Sequence, residues 1–307
     1  MSRLRHIALV FLCICWPLQV SAKSLIPMGD SIGIQLELPF VYVSHDILLT
    51  NGEWLRQGDK ILQQNGQAVN DIEQLEATTE STQLQIERAG KEKMLTVTAE
   101  EIAQFLPFLK DETDGIGTLT FIDPETNEYG ALGHQIIDQT LKAAPSFSQG
   151  SIFQASISQI KKSEPGQPGY KISVIDPEQA PLGNVLHNNV YGVFGEWQSS
   201  LQQSVRQPLE IMHPTDIQTG EAHILTAIEQ EKVEKFSIDI REIDGSNLIF
   251  IVTDQRLLEK TGGILQGMSG SPIIQHDQFV GAVTHMFVEE PTKGAALSME
   301  EMLKKAP

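Results

Sequence analysis

Hydrophobic and polar positions alternate in short stretches along most of this chain. Ile32-Gly33-Ile34-Gln35-Leu36-Glu37-Leu38 has the period of two that marks a half-buried strand. Ile47-Leu48-Leu49-Thr50 predicts another strand, closed by a turn at Asn51-Gly52. Leu55-Arg56-Gln57-Gly58-Asp59-Lys60-Ile61-Leu62 follows and leads into Asn65-Gly66, a pair suited to positive φ. Asn70 predicts the cap of a helix running through Glu80, with Glu73 completing a capping box. Leu84 and Ile86, then Leu95 and Val97, flank Ala89-Gly90-Lys91-Glu92 as a hairpin. Residues 99–114 are acidic at both ends around Phe105-Leu106-Pro107-Phe108-Leu109 and read as a docked interdomain connection.

Beyond that connection the pattern predicts strands at Gly117 to Ile122, Ser151 to Ile160, Tyr170 to Ile175, His223 to Ile228, Lys235 to Ile240 and Leu248 to Thr253. Gly and Pro clusters separate them, which favours a β-barrel or sandwich. A single amphipathic helix is predicted near the end, over Ser298 to Lys305. The expected class is mainly β.

Charge and composition narrow the function. The chain of 307 residues carries a formal charge of −18, which argues against nucleic acid, whose phosphates would be repelled. Residues 1–22 stand apart: Arg3, Arg5 and His6 precede an apolar run from Ile7 to Val20, then Val20-Ser21-Ala22. This reads as a signal peptide cut after Ala22, or as a retained N-terminal membrane anchor. Both cysteines, Cys13 and Cys15, lie in that run, so the exported portion has no disulfide and no thiol nucleophile. Without Arg3 and Arg5 the charge goes from −18 to −20. The eight histidines show no metal-ligand spacing, so no metal or other cofactor is expected.

The chemistry centres on Gln266-Gly267-Met268-Ser269-Gly270-Ser271-Pro272-Ile273-Ile274. Glycines on both sides of Ser269 free the backbone to present a hydroxyl together with oxyanion-hole N–H groups. Ser271 is the weaker candidate, because Pro272 restricts its backbone. A serine needs a base, usually a histidine oriented by a carboxylate. Candidate bases are His134, His187, His213, His223, His276 and His285. His134 stands out in Tyr129-Gly130-Ala131-Leu132-Gly133-His134, and His285 competes from Gly281-Ala282-Val283-Thr284-His285-Met286-Phe287. For the acid, Asp254 ends an apolar strand and Asp138 lies four residues after His134.

Two sets of motifs carry a resemblance. Gln57-Gly58-Asp59-Lys60-Ile61-Leu62, then Asn65-Gly66 and a capped helix, resemble a bacterial PDZ domain. With Gly-Ala-Leu-Gly-His, Val-Thr-Asp and the run from Thr261 to Gln275, the chain resembles the stage IV sporulation protein B family of PDZ-containing serine peptidases. The resemblance implies a signal or anchor over 1–22, a PDZ domain over 23–98, a linker over 99–114 and a chymotrypsin-like double β-barrel over 115–307. It implies that His134 is the base, Asp254 its orienting acid and Ser269 the nucleophile. Within that template the N–H groups of Gly267 and Ser269 form the oxyanion hole. A PDZ loop of Ser31, Ile32, Gly33 and Ile34 would take a peptide carboxylate, with the peptide adding along a strand edge. The implied partners are protein or peptide substrates, a peptide ligand of the PDZ domain (its own chain included) and a membrane. The implied setting is extracytoplasmic, between forespore and mother-cell membranes, with cleavage of itself and of a membrane-associated regulator. A non-catalytic PDZ adaptor or an envelope structural protein is the alternative.

Overall fold

The computed structural model describes residues 23–75, 81–176, 178–199, 206–304 and 306. The segment read as an export signal, with both cysteines, lies outside the described residues, as does 76–80. Among the described residues no helix is long and apolar enough to cross a membrane.

The C-terminal half is a closed six-stranded barrel. Its strands run Gly220–Glu229, Lys232–Asp244, Asn247–Val252, Lys293–Ser298, Gln278–Met286 and Pro272–Gln275 around the circle. The alternation in the sequence explains it: Phe236, Ile238 and Ile240 point inward, as do Leu248, Phe250 and Val252. The register sets Ile238 opposite Val252 and Ile240 opposite Phe250, so like faces meet. Burying each such side chain contributes about 1.5–3 kcal/mol. Lys293–Ser298 closes the barrel by pairing on both edges. Gly294 is needed there because a Cβ would lie 2.3 Å from the Phe250 ring.

The N-terminal half differs from the second barrel expected of a double-barrel peptidase. It is an extended thirteen-stranded sheet. The reason lies in two long strands, Ser31–Val43 and Leu109–Ile122, each of which runs through two hydrophobic cores. Their shared ladder shifts register between Glu37 and Tyr42, where Pro39 can donate no hydrogen bond. Before the shift, Ile32, Ile34 and Leu36 pack in the sheet core with Leu119, Ile122 and Tyr129. After it, Val41 and Val43 join a separate core with Leu55, Ile61, Leu84, Ile86, Leu95 and Val97.

Three expectations are corrected here. Ser31, Ile32, Gly33 and Ile34 are no loop; they are buried strand, paired on one edge with Leu109–Ile122 and on the other with Gln149–Gln154. Both edges are occupied, so no peptide can add there, and a PDZ domain is not shown. Residues 99–114 are no linker: Ala99–Phe105 is a helix with a Thr98/Glu101 capping box, burying Ile102 and Phe105 in the second core. Finally, Asp71 rather than Asn70 caps the turn before residue 76, a 3-10 helix over Ile72–Gln74.

The two halves are joined by a shared apolar seam. Phe121 and Phe194 of the sheet meet Ile274, Phe279 and Leu297 of the barrel, with Met299 and Met302 of the helix Met299–Lys304 wedged in.

Candidate active site

The strand Glu128–Ala131 ends in a sharp reversal at Leu132 (φ 71°) and Gly133 (φ 65°), which delivers His134. On the barrel side, Gly267 (φ 93°) and Gly270 (φ 95°) bracket Ser269 in a loop feeding the strand Pro272–Gln275. These loops touch backbone to backbone. A Cβ on Gly270 would lie 2.2 Å from the Thr118 carbonyl oxygen and 2.5 Å from the Leu132 nitrogen. Glycine there serves both the positive φ and the contact that brings serine and histidine together.

His134, Ser269 and His285 line one cavity of about 610 Å³, together with Asp114, Ile116 and Ile137. The His134 Nδ1 lies 3.0 Å from the Gln135 carbonyl oxygen. A carbonyl can only accept, so the neutral ring carries its proton on Nδ1 and leaves Nε2 as the basic nitrogen. Ser269 Oγ donates to the Thr284 carbonyl at 2.8 Å. Ser271 lies fully buried and does not line the cavity.

The loop's carbonyls are tied down. Lys171 N donates to Gln266 O at 3.2 Å and Ser271 N to Met268 O at 3.0 Å. Because the peptide unit is planar and trans, the N–H groups of Gly267 and Ser269 point the opposite way from those carbonyls. Among the described residues neither N–H donates a hydrogen bond. Thr118 adds a clamp: its N–H donates to Ser269 O at 3.1 Å and its Oγ1 to Gly267 O at 2.8 Å. Nothing in the sequence singles out Thr118, one of three threonines in the strand Leu109–Ile122.

The two candidate acids are bonded to other groups, although Asp138 lines the same cavity. Asp254 caps the helix Gln255–Thr261, accepting from Arg256 N at 2.9 Å and Ser237 N at 3.4 Å, and it pairs with Arg256 Nη2 at 3.0 Å. Burial pushes its pKa up, but the Arg256 side chain and these N–H groups outweigh that and hold it below the usual carboxylate range. It does not line the cavity. Asp138 is buried with both oxygens filled: Oδ2 accepts from Tyr42 OH at 2.8 Å and Thr113 Oγ1 at 2.6 Å. Its Oδ1 accepts from the N–H groups of Thr140 and Leu141, each at 2.8 Å. The structure therefore brings Ser269 and His134 together and leaves Asp254 and Asp138 on other partners.

Among the described residues, His45, His187, His213, His223 and His276 do not line this cavity. His276 sits in a hairpin tip, His213 near Thr215 and Glu300, and His223 on the barrel wall beside Glu221. Lys171 runs its side chain past Gly267 to Thr226 Oγ1 at 3.1 Å, and full burial pushes its pKa down to about 7.

A family model described as SpoIVB peptidase S55 matches residues 101–303. No curated protein matches the chain. Among solved structures, the Rv3671c protease from M. tuberculosis in its active form is 14% identical, with 63% of this chain and 73% of that chain covered at a TM-score of 0.35. Its inactive form is 13% identical, with 62% and 82% covered, also at 0.35. The family match takes in both loops and well over half of the chain, and on that ground this protein belongs to the SpoIVB peptidase S55 family and is a serine peptidase.

Proposed function

We propose that Ser269 is the nucleophile, His134 the general base, and the N–H groups of Gly267 and Ser269 the oxyanion hole of an endopeptidase. The observation that carries this reading is the pair of unspent N–H groups beside a half-buried serine, on a loop whose carbonyls are already bonded. Rotation of the Ser269 side chain exchanges the Thr284 carbonyl for His134 Nε2. The hydroxyl proton passes to Nε2 as Oγ attacks the substrate carbonyl carbon, and the oxyanion takes the two N–H groups. The same proton then goes to the leaving amine, and water repeats the cycle on the acyl-enzyme. The Gln135 carbonyl supplies the orienting contact to Nδ1. On this reading Asp254 supports the barrel and does not act on His134.

The family and the leader-like residues 1–22 favour an extracytoplasmic enzyme that cleaves itself and a membrane-associated regulatory protein in sporulation signalling. Its small core around Val41 to Leu109 is proposed to respond to a peptide or membrane partner by loading the His134 loop, since Tyr42, which stands on the strand between the core residues Val41 and Val43, reaches Asp138. Incubating purified protein and following its own cleavage by mass spectrometry tests the activity. The expected result is fragments from the unmutated chain and none from Ser269→Ala. A folded, unmutated protein that cleaves neither itself nor a casein substrate contradicts the reading.

A further inference from the structure

His134 and His285 enter the cavity from opposite halves of the molecule, one after the sheet strand Glu128–Ala131, the other on the barrel strand Gln278–Met286. Their ring centroids are 5.5 Å apart and their planes are inclined by 30°. The proposed chemistry uses only His134. The His285 side chain makes no hydrogen bond among the described residues.

The spacing is what a shared metal ion requires. A zinc–imidazole bond of about 2.0–2.1 Å puts each ring centroid roughly 3.2 Å from the metal, and a tetrahedral angle then separates two centroids by about 5.2 Å. The tautomer is also right. Histidine ligands usually donate their other ring N–H to a carbonyl or carboxylate, and His134 Nδ1 already meets the Gln135 carbonyl, which leaves Nε2 as the nitrogen free to ligate. The strongly negative chain raises the local concentration of cations.

We propose that His134 and His285 together bind a zinc ion, and that its occupancy switches the peptidase off by taking the lone pair the base needs. This rests on the reading of His134 as that base. Among the described residues no group of three or more His, Cys, Asp or Glu could hold a metal, so water or the Ser269 hydroxyl completes the coordination. Two imidazoles make an open, weak site, filled and emptied with the zinc supply, in contrast to a closed structural one.

The test uses the whole chain, stripped with EDTA, then titrated with zinc chloride by calorimetry and, in parallel, by peptide hydrolysis. The expected result is one zinc per chain, half-inhibition at micromolar zinc, and recovery with EDTA. His285→Gln should raise the half-inhibiting concentration at least tenfold, with each enzyme read against its own activity in EDTA. Absence of calorimetric binding, or inhibition unchanged in His285→Gln, overturns the site. Full activity of His134→Ala in EDTA would instead remove the base assignment, and with it inhibition through the base, whereas calorimetry reads the zinc site itself.

Discussion

The two loops that meet in the cavity are held by different means. The Ser269 loop is fixed by backbone hydrogen bonds, from Lys171, Ser271 and Thr118, and by Gly270 N donating to Val283 O at 2.7 Å. The His134 loop hangs mainly on two side chains: Asn188, which accepts from Ile136 N at 2.7 Å and donates to Ile136 O at 3.1 Å, and the buried carboxylate of Asp138, whose side-chain donors are Tyr42 and Thr113. Tyr42 lies where Ser31–Val43 has already passed into the second core, pairing with Lys60. The nucleophile is thus set by the barrel and its neighbouring backbone. The base is set by a side-chain network that another part of the molecule can strengthen or release.

The sharpest break of this contrast is Gly270→Ala. The added methyl meets the Thr118 carbonyl and the Leu132 nitrogen, both backbone atoms that cannot turn aside, at a φ alanine rarely adopts. Peptide hydrolysis should fall on the order of 10³-fold, since a displacement of about 1 Å already costs about 10²-fold. Unchanged activity would mean that the two loops need not touch.

Next is Asp138→Asn, which replaces one acceptor by a donor that faces the donors Tyr42 and Thr113. Activity should drop about tenfold to a hundredfold through misplacement of His134, with the hydrolysis rate and thermal midpoint measured together. The pH dependence follows from the same residue. Burial alone would raise the Asp138 pKa, but Thr113, the Leu141 N–H and Tyr42 hold it below its ordinary 3.8. Its contribution is therefore complete above about pH 4, near the ordinary aspartate value, and is lost as pH falls through the lower folded pKa. Asp138→Asn should remove that part of the acid sensitivity.

The smallest effect belongs to Asp254→Ala. Loss of a helix N-cap costs about 1 kcal/mol. The thermal midpoint should drop by a few degrees while the hydrolysis rate stays within about threefold. A rate that collapses at an unchanged midpoint would show that this carboxylate acts on His134 after all.

These residues also show what could be read from sequence. The barrel strands were legible because one face is buried and a period of two records that directly, as at Phe236, Ile238 and Ile240. The serine loop was legible because only glycine suits its two positive-φ positions. Pairing partners were not: alternation says which face of Ser31–Val43 is buried and nothing about which strands flank it. Gly33 looks like a loop residue, yet it is a strand glycine where a Cβ would strike Ile175. Asp254 illustrates a deeper ambiguity. An acid at a strand end and a helix cap have the same sequence signature, and only the geometry shows its oxygens turned to Arg256 and Ser237. The tie from Tyr42 to Asp138 spans 96 positions and leaves no local trace.

The central claim is that Ser269, activated by His134, is the acylated residue. A fluorophosphonate probe, followed by peptide mapping, tests it most directly. The adduct is expected on Ser269 in the unmutated protein and in Ser271→Ala, with no adduct in Ser269→Ala and labelling slowed by at least about 10³-fold in His134→Ala. An adduct on Ser271, or labelling that persists in folded Ser269→Ala, would contradict it.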